Sequence, residues 1–229
     1  MTGRTALVSG ASRGIGDAVA RWLLDDGWQL SLGMRQPDDA GADFSQCHIA
    51  RHDALAGDER DWVAAALDRF GRIDAVICCA GIMEPQDVIE VADDTLDRML
   101  EVNLKSPRRL VRAAWPALCD AGHGRVVLLA SLSGKRVKSA KSGAYSISKH
   151  AAVALAHGIR QKGWEHGIRA TAICPGFVNT DMARAITDFP SDAMTQPEDV
   201  ARLVQLAVDL PDTASMAELC VNCQPEAFF

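Results

Sequence analysis

The stretch VSGASRGIGDA, residues 8–18, joins an apolar run to an amphipathic one and decides the fold. It contains Gly10, Gly14 and Gly16, and glycines permit a tight turn and a close approach of the backbone to a pyrophosphate. A helix that begins here offers free N–H groups to that anion. The spacing is GxxxGxG rather than the common GxGxxG, and a plain strand-to-helix turn is the alternative interpretation. At the start of an α/β pattern, the stretch predicts a dinucleotide-binding turn.

Outward from this turn, short apolar runs alternate with longer amphipathic stretches. The predicted strands are TALVSG (5–10), WQLSLGM (28–34), a strand-like stretch around 48–52, RIDAVICCAG (72–81), GRVVLLAS (124–131), IRATAICPG (168–176) and AELCVNC (217–223). The predicted helices are 14–27, 58–70, 93–122, the region after Tyr145, and 196–211. Continuous apolar strands between helices are typical of a parallel sheet covered on both faces. The sequence therefore predicts one Rossmann-like α/β domain over residues 1–229, a doubly wound, mostly parallel sheet in three α/β/α layers.

The composition narrows the class of protein. A chain of 229 residues with a net charge of −6 and a pI near 5.5 suits one globular domain and gives no basic surface for nucleic acid. No run reaches the ~18 apolar residues of a membrane span, and no secretory segment follows the N-terminus. The seven cysteines are interpreted as small buried apolar residues of a cytoplasmic protein. The motif CVNC, residues 220–223, shows no further zinc ligands at suitable spacing, so no metal is expected.

The end of the second strand bears on the choice of cofactor. The segment LGMRQ, residues 32–36, has no carboxylate where one would bind the ribose 2′-hydroxyl of NAD. Arg35, and Arg13 in the glycine turn, could instead bind a 2′-phosphate, because a guanidinium donates two parallel hydrogen bonds to phosphate. Asp38 and Asp39 follow a few residues later and support the rival interpretation as an NAD site. The segment favours NADP(H).

The only tyrosine of the chain, Tyr145, precedes Lys149 by four residues, so on a helix the two share a face. A nearby ammonium favours the phenolate and lowers the pKa of a phenol, which suits proton transfer to a carbonyl oxygen. A chance pair is the alternative, but Ser131 ends a predicted strand fourteen residues earlier. Ligands of a parallel sheet bind beyond such strand ends, where a hydroxyl can hold a substrate oxygen.

Asn103 lies inside the long predicted helix, four residues before Pro107. Proline has no N–H, so the Asn103 carbonyl loses its helical partner and the helix is expected to kink. The freed carbonyl could hold a water beside Lys149, whereas a plain proline kink is the alternative.

These motifs together resemble the short-chain dehydrogenase/reductase family, over about residues 4–223. The segments that carry the resemblance are SGASRGIG, Asp53 after the third strand, CCAG, VNL, LASLSG, YSISK and PGFVNTDM. The resemblance implies the catalytic residues Asn103, Ser131, Tyr145 and Lys149. It implies cofactor contacts at Gly10, Ser12, Arg13, Gly14, Ile15, Gly16, Asp53, Ala80, Gly81, Pro175, Gly176, Val178 and Thr180. Asn103, Tyr145 and Lys149 are also expected to border the cofactor. Arg35 is a further expected contact, because it could bind a 2′-phosphate.

The chain departs from the family pattern in three places. Cys78 and Cys79 replace a pair of asparagines that brace the central strand, which bears on stability more than on chemistry. Ala130 replaces a serine, and Ser133 is a rival to Ser131 for the catalytic hydroxyl. The chain also has CVNCQPEAFF, residues 220–229, where the family often has a glycine-rich tail.

The function expected from this resemblance is NADP(H)-dependent reduction of a ketone or aldehyde to an alcohol, or the reverse, with Tyr145 as general acid and base. The alternative is a non-catalytic NADP(H)-binding sensor or partner-binding module on the same fold. Residues 181–196 are expected to form a short apolar lid over a small to medium apolar substrate, with a simple surface connection as the alternative. Apolar residues on more than one face of the helices around Trp115 and after Tyr145 predict a homotetramer or homodimer.

Overall fold

A computed structural model describes residues 3–225, apart from the side chain of Asp39. Seven parallel strands form one sheet in the order β3-β2-β1-β4-β5-β6-β7. The strands are β1 (Thr5–Ser9), β2 (Gln29–Met34), β3 (His48–Arg51), β4 (Ala75–Cys78), β5 (Arg125–Leu129), β6 (Arg169–Pro175) and β7 (Glu218–Val221). The predicted doubly wound parallel sheet is confirmed.

Helices cover both faces of the sheet. They are α1 (Gly14–Asp25), α2 (Glu59–Phe70), α3 (Asp93–Leu100), α4 (Ser106–Ala121), α5 (Gly143–Gly163), α6 (Asp181–Arg184) and α7 (Pro197–Asp209). Side chains along a strand alternate between the two faces. Ala6 and Val8 of β1 therefore pack in the core under α1 and α7, whereas Leu7 packs in the core under α2, α4 and α5.

The sheet order reverses at β1, because the chain runs outward to β2 and β3 and then returns to β4 on the other side. In open α/β sheets, ligands bind beyond the carboxyl ends of the strands at such a switch point. The glycine turn follows β1 at this place, and the residues after β4 lie next to it: Cys79 N–H donates to Ser9 O at 3.2 Å.

The long predicted helix 93–122 is interrupted by a π-helical turn, Glu101–Lys105. In this turn the Ser106 N–H donates to Glu101 O, five residues back instead of four. The missing N–H of Pro107 explains why the regular ladder fails here. The expected break is present, as a widened turn that carries Asn103.

The π turn is held by a partly buried ion cluster. The Arg109 guanidinium donates to both carboxylate oxygens of Glu59 at 2.8 and 2.9 Å and also bonds Glu101. Burial raises the pKa of Glu59, but hydrogen bonds from Arg109 and Ser106 outweigh it and hold that pKa below its usual value. The cluster ties α2 to the π turn, and so fixes the element that carries Asn103.

Within residues 3–225, no helix combines the length and apolar character needed to cross a bilayer. The cysteines are less uniformly buried than expected: Cys78 and Cys174 are buried, but Cys220 is exposed, because β7 is an edge strand.

Candidate active site

The glycine turn leaves no space for side chains at two of its positions. Gly10 has φ +69°, and a Cβ there would lie 2.7 Å from the backbone nitrogen of Ala80. A Cβ on Gly16 would lie 2.2 Å from the carbonyl oxygen of Gly10. The turn, the start of α1 and the end of β4 are therefore in direct backbone contact, and only glycine allows it.

The N-terminus of α1 faces the same turn. The helix α1 begins Gly14-Ile15-Gly16, and Arg13 immediately precedes it. The Arg13 side chain does not cap the helix, so it accepts no hydrogen bond from the first N–H groups of α1. Donors of this kind, next to a backbone that excludes Cβ atoms, fit the pyrophosphate of a dinucleotide. The Arg13 guanidinium itself pairs with Asp181 at 3.0 Å, and both side chains are exposed. The sequence did not predict this partner.

Arg35 and Asp53 follow β2 and β3 at the same edge of the sheet. Arg35 is exposed, directly after Met34. Asp53 is held in a tight turn, since its carboxylate accepts from Leu55 N–H at 3.0 Å and its own N–H donates to Asp58 at 3.1 Å. Neither residue borders the main cleft described below.

Tyr145 and Lys149 lie one turn apart on α5, and both are buried, with 8% and 5% exposure. The Lys149 ammonium lies 5.6 Å from the centroid of the Tyr145 ring and donates to Leu129 O at 2.7 Å. The end of β5 therefore anchors the lysine nitrogen beside the tyrosine ring.

The pKa values of this pair correct the expectation that Lys149 lowers the pKa of Tyr145. Burial raises the pKa of Tyr145 to about 12, and the hydroxyl of Ser131 opposes this only partly. Burial also lowers the pKa of Lys149 to about 8. Desolvation disfavours the charged form of each group and dominates here. Tyr145 thus holds its proton at neutral pH and is able to donate it.

Ser131 follows β5 and caps the short turn Leu132–Gly134. Its Oγ accepts from Ser133 N–H at 3.1 Å, and its hydroxyl lies 3.5 Å from Pro175 O. The Ser131 hydroxyl is the donor in this long contact with Pro175 O, and a hydrogen bond with Ser131 also opposes the rise in the pKa of Tyr145. Ser133 borders the same cleft. The geometry favours Ser131 over this rival.

The Asn103 side chain is occupied by protein contacts. Its Oδ1 accepts from Ile82 N–H at 2.9 Å, while its Nδ2 donates to Ile82 O and to Ser148 Oγ, both at 2.9 Å. The side chain joins the π turn to α5 and to the segment after β4. A Cβ on Gly81 would lie 3.4 Å from Asn103 Oδ1 and 3.6 Å from Lys149 Nζ, so the three residues converge.

A cleft of about 350 Å³ opens beside these residues. Of the residues named from the sequence, it is bordered by Ile15, Gly81, Ser131, Tyr145, Lys149, Pro175, Gly176, Val178 and Thr180. Ser12, Arg13, Arg35, Asp53, Ala80 and Asn103 do not border it. Gly10, Gly14 and Gly16 shape the turn behind it. Thr180 caps α6 through a bond from Ala183 N–H at 3.3 Å, and Val178 bridges Thr195.

The expected lid divides into two parts. Met182 and Ile186 border the cleft, and Phe189 stacks on Phe177, which borders it too. Met194, however, is buried with 5% exposure, next to the bridge that Thr195 makes to Val178. The first half of 181–196 faces the cleft, whereas its end is anchored to the body of the protein.

The sequence analysis missed several cleft residues. Asn222 and Gln224 come from the tail that departs from the family pattern, and that departure was the signal available. Arg136, Lys138 and Lys141 also border the cleft and lie between β5 and α5.

The environment of the CVNC motif also differs from expectation, because Cys220 has potential ligand groups nearby. Ligand atoms of Cys174, Glu218 and Cys220 lie within 4.8 Å of one another. The Glu218 carboxylate already accepts from Lys135 at 2.6 Å and from His157 at 2.8 Å. Sequence spacing could not reveal this group, since parallel pairing of β6 with β7 creates it.

Comparisons with known proteins agree with this arrangement. The sequence profile described as "short chain dehydrogenase" matches residues 4–191. Agropine synthesis reductase of Rhizobium rhizogenes is 39% identical over 96% of this chain and 53% of its own length. The chain thus spans about half the length of that relative. Oxidoreductase UcpA of Escherichia coli (strain K12) is 32% identical over 92% of this chain and 81% of its own. The structure of an alcohol dehydrogenase from the archaeon Thermococcus sibiricus, complexed with 5-hydroxy-NADP, superposes with a TM-score of 0.85 at 28% identity, over 97% of this chain and 99% of the other.

Proposed function

The chain belongs to the short-chain dehydrogenase/reductase family of oxidoreductases, and we propose that it interconverts a carbonyl compound and an alcohol with NADP(H). The observation that carries the proposal is the meeting of Ser131, Tyr145 and Lys149 at one cleft beside the glycine turn. The bound nicotinamide cofactor would supply the hydride in reduction and accept it in oxidation. The chain's own residues hold the carbonyl oxygen and move its proton.

Tyr145 is the proton donor in this proposal. Its phenol is neutral at physiological pH, as an ordinary phenol is, and burial raises its pKa further. It donates to the carbonyl oxygen as that oxygen becomes an alkoxide. In the reverse direction it accepts the alcohol proton. Ser131 donates a hydrogen bond to the same oxygen and fixes its position.

Lys149 and Asn103 act through position. Lys149 is anchored to Leu129 O, so its positive charge stays buried beside Tyr145 and stabilises negative charge that develops on the phenol. The Asn103 side chain holds the π turn against Ile82 and Ser148, and thereby holds the segment after β4 at the cleft.

The preference for NADP(H) rests on Arg35 at the end of β2. In this fold, residues at the end of the second strand contact the 2′-substituent of the cofactor ribose. Arg35 follows β2 and is exposed enough to pair with a 2′-phosphate. Asp38 lies in the next turn, Pro37–Asp39, and is the competing feature. The alcohol dehydrogenase from Thermococcus sibiricus, which is complexed with 5-hydroxy-NADP, supports the same choice.

The test is oxidation of NADPH with a panel of ketones and aldehydes, followed by absorbance at 340 nm. We expect turnover with at least part of the panel. Tyr145→Phe should lower kcat by about 10²-fold or more, the scale of general acid catalysis, because it removes the transferable proton. Cofactor binding, measured by calorimetry, should be retained.

The matched control is Phe177→Tyr, which adds a phenol at the cleft without restoring the one at position 145. Near-normal turnover by Tyr145→Phe would contradict the proposal. Cofactor binding without turnover of any carbonyl compound or alcohol by the unaltered protein would favour the alternative, a non-catalytic NADP(H)-binding module.

A further inference from the structure

Two cysteines and a glutamate meet at the outer edge of the sheet, outside the cleft. Cys174 of β6 and Cys220 of β7 are directly paired across the two parallel strands, and Glu218 lies two residues before Cys220. Side chains two residues apart on a strand point to the same face of the sheet. One ligand atom from each of the three residues lies within 4.8 Å of the other two.

The chemistry of these side chains suits a divalent metal ion. Thiolates are soft ligands that favour zinc, and zinc also takes carboxylate and imidazole ligands. His157 of α5 offers an imidazole next to the group, because its Nε2 lies 2.8 Å from Glu218 Oε1. Two sulfurs, one carboxylate and one imidazole make the four ligands of a tetrahedral site.

The ligand atoms are nearly as close together as those of a bound ion. Zinc–sulfur bonds of about 2.3 Å and zinc–oxygen bonds of about 2.0–2.2 Å place the ligand atoms of one tetrahedral ion about 3.4–3.8 Å apart. Small side-chain rotations therefore suffice to reach this spacing from separations of at most 4.8 Å. Cys174 is buried, whereas Cys220 is exposed on the edge strand, so an ion can enter from solvent on the side of Cys220.

A cation already pairs with the carboxylate of this cluster. The Lys135 ammonium lies 2.6 Å from Glu218 Oε2, so the carboxylate holds Lys135 on one oxygen and His157 on the other. The Lys135 side chain is 36% exposed and follows the short turn Leu132–Gly134. Its long stem can turn toward solvent, and a metal ion and Lys135 would then exchange on the same carboxylate.

We propose that Cys174, Glu218, Cys220 and His157 bind a divalent cation of the zinc type in competition with Lys135. Binding releases the protons of the two thiols to solvent, because thiolates are the ligating form. The ion would join β6, β7 and α5. With four protein ligands and no open position, its role would be structural.

The proposed ion is independent of the proposed catalytic function, since none of its four ligands borders the cleft. Its effect would still reach that cleft, because β7 leads directly into Asn222 and Gln224, which border it. The site uses Cys220 of the CVNC motif but not Cys223, whose sulfur donates to Phe177 O at 3.6 Å. The spacing within CVNC was therefore the wrong place to look for the remaining ligands.

The first experiment titrates cobalt(II) into the full chain in the presence of a phosphine reductant, which keeps the thiols reduced. Tetrahedral cobalt(II) has strong visible absorption, and bound thiolates add a near-ultraviolet charge-transfer band. We expect both signals to saturate at one ion per chain, with the charge-transfer intensity of two thiolates. Zinc(II) should then displace the cobalt and abolish both signals.

The second experiment assigns the ligands. Cys220→Ser and Glu218→Gln each remove one ligand and should abolish or strongly weaken the tetrahedral cobalt spectrum. The matched control is Cys223→Ser, which alters the other cysteine of CVNC and should leave the spectrum unchanged. Zinc should raise the midpoint of thermal unfolding of the unaltered protein but not of Cys220→Ser, because an ion that binds the folded state stabilises it.

The third experiment tests the competition with Lys135. Lys135→Gln should tighten zinc binding by about three- to tenfold, because it removes a positive charge that must leave the carboxylate before the ion can bind. Displacement of cobalt by zinc, measured by absorbance, gives the affinity. Lys162→Gln, at the exposed end of α5, is the control and should have no effect.

A weak octahedral cobalt spectrum without a thiolate band would overturn the inference, and so would a tetrahedral spectrum that survives Cys220→Ser or Glu218→Gln. Loss of the spectrum in Cys223→Ser would place the ion in the CVNC motif and overturn it as well. Unchanged or weaker zinc binding in Lys135→Gln would contradict the competition. Since every readout is spectral or thermal, failure of the proposed carbonyl reduction would leave this inference standing.

Discussion

At the scale of single residues, burial controls the chemistry of Tyr145 and Lys149 more than their mutual contact does. Both side chains are nearly inaccessible, so each charged form is disfavoured. The spacing in the sequence predicted that the two meet, and they do. It could not predict the size of the desolvation, which depends on the strand ends and the segment after β4 that close around them.

The lysine should make stability depend on pH. Its pKa is about 8 in the folded protein against 10.5 when exposed, so the unfolded chain binds more protons between these values. The free energy of unfolding therefore gains a contribution that rises with pH from about 8 to about 10.5. Lys149→Met should remove this contribution, as measured by urea unfolding at pH 7, 8, 9 and 10.

The control for this prediction is Lys162→Met, at the exposed end of α5. If Lys149→Met and the unaltered protein give parallel curves of unfolding free energy against pH, the depressed pKa of Lys149 is wrong.

In our proposal Arg35 determines the preference for NADPH over NADH, so its substitution should affect the two cofactors differently. Arg35→Ala should raise KM for NADPH by about tenfold or more while KM for NADH changes little, because only NADPH has a 2′-phosphate for the guanidinium. Steady-state kinetics with a fixed carbonyl substrate measures both constants. Arg202→Ala, on the exposed side of α7, is the control. A preference of the unaltered protein for NADH, or equal effects on both cofactors, would count against the argument from LGMRQ.

At the scale of elements, the sequence predicted the regular parts well because their periodicity is strong. Each predicted strand is present to within a few residues, and β1 with its glycine turn fixes the start of the pattern. The π turn was predicted only as a kink at Pro107. Its form depends on Arg109, which holds Glu59 and Glu101 together and lies far from Glu59 in sequence. Long-range ion pairs of this kind leave no periodic signal.

The segment 181–196 remains a predicted lid, and its two parts should behave differently. When NADPH and a non-reactive substrate analogue bind, amide exchange should slow in α6 and up to Ile186, which border the cleft. Amides near Thr195 should be protected before binding, since Thr195 N–H donates to Phe177 O at 3.1 Å. Hydrogen–deuterium exchange by mass spectrometry measures both. Unchanged exchange at 181–186, while the rest of the site gains protection, would remove this segment as the lid.

At the scale of the whole molecule, the apolar faces expected to drive assembly are smaller than the sequence suggested. Trp115 on α4 is only partly exposed and packs into the core beneath α2, α4 and α5. The large apolar side chains exposed near the start of α5 are Ile147, Val88 and Ile89, at 43%, 51% and 88% exposure. The pattern of apolar residues along α4 could not show which of them face the core and which face solvent, because the elements that pack against α4 are distant in sequence.

Assembly through α4 and α5 is still our prediction, now centred on Ile147. Light scattering at micromolar concentration should give the mass of a dimer or tetramer of the 24.6 kDa chain. Ile147→Glu should shift that mass toward the monomer, because a charge would be buried in the contact. Leu55→Glu, at a similarly exposed apolar position elsewhere, should not. A monomer in the unaltered protein would rule the prediction out.

The sheet order also bears on how the chain folds while the ribosome is still making it. The central strand β1 takes β4 as its second neighbour, and α1 packs against α7, where Arg4 bonds Asp209 at 2.7 Å and Trp22 bonds Gln205. The strand β1 and the helix α1 therefore acquire these partners only after later parts of the chain have been made. Until α7 leaves the exit tunnel, the apolar face of α1 is uncovered, and a nascent chain of this kind is a natural client for chaperones that shield such faces.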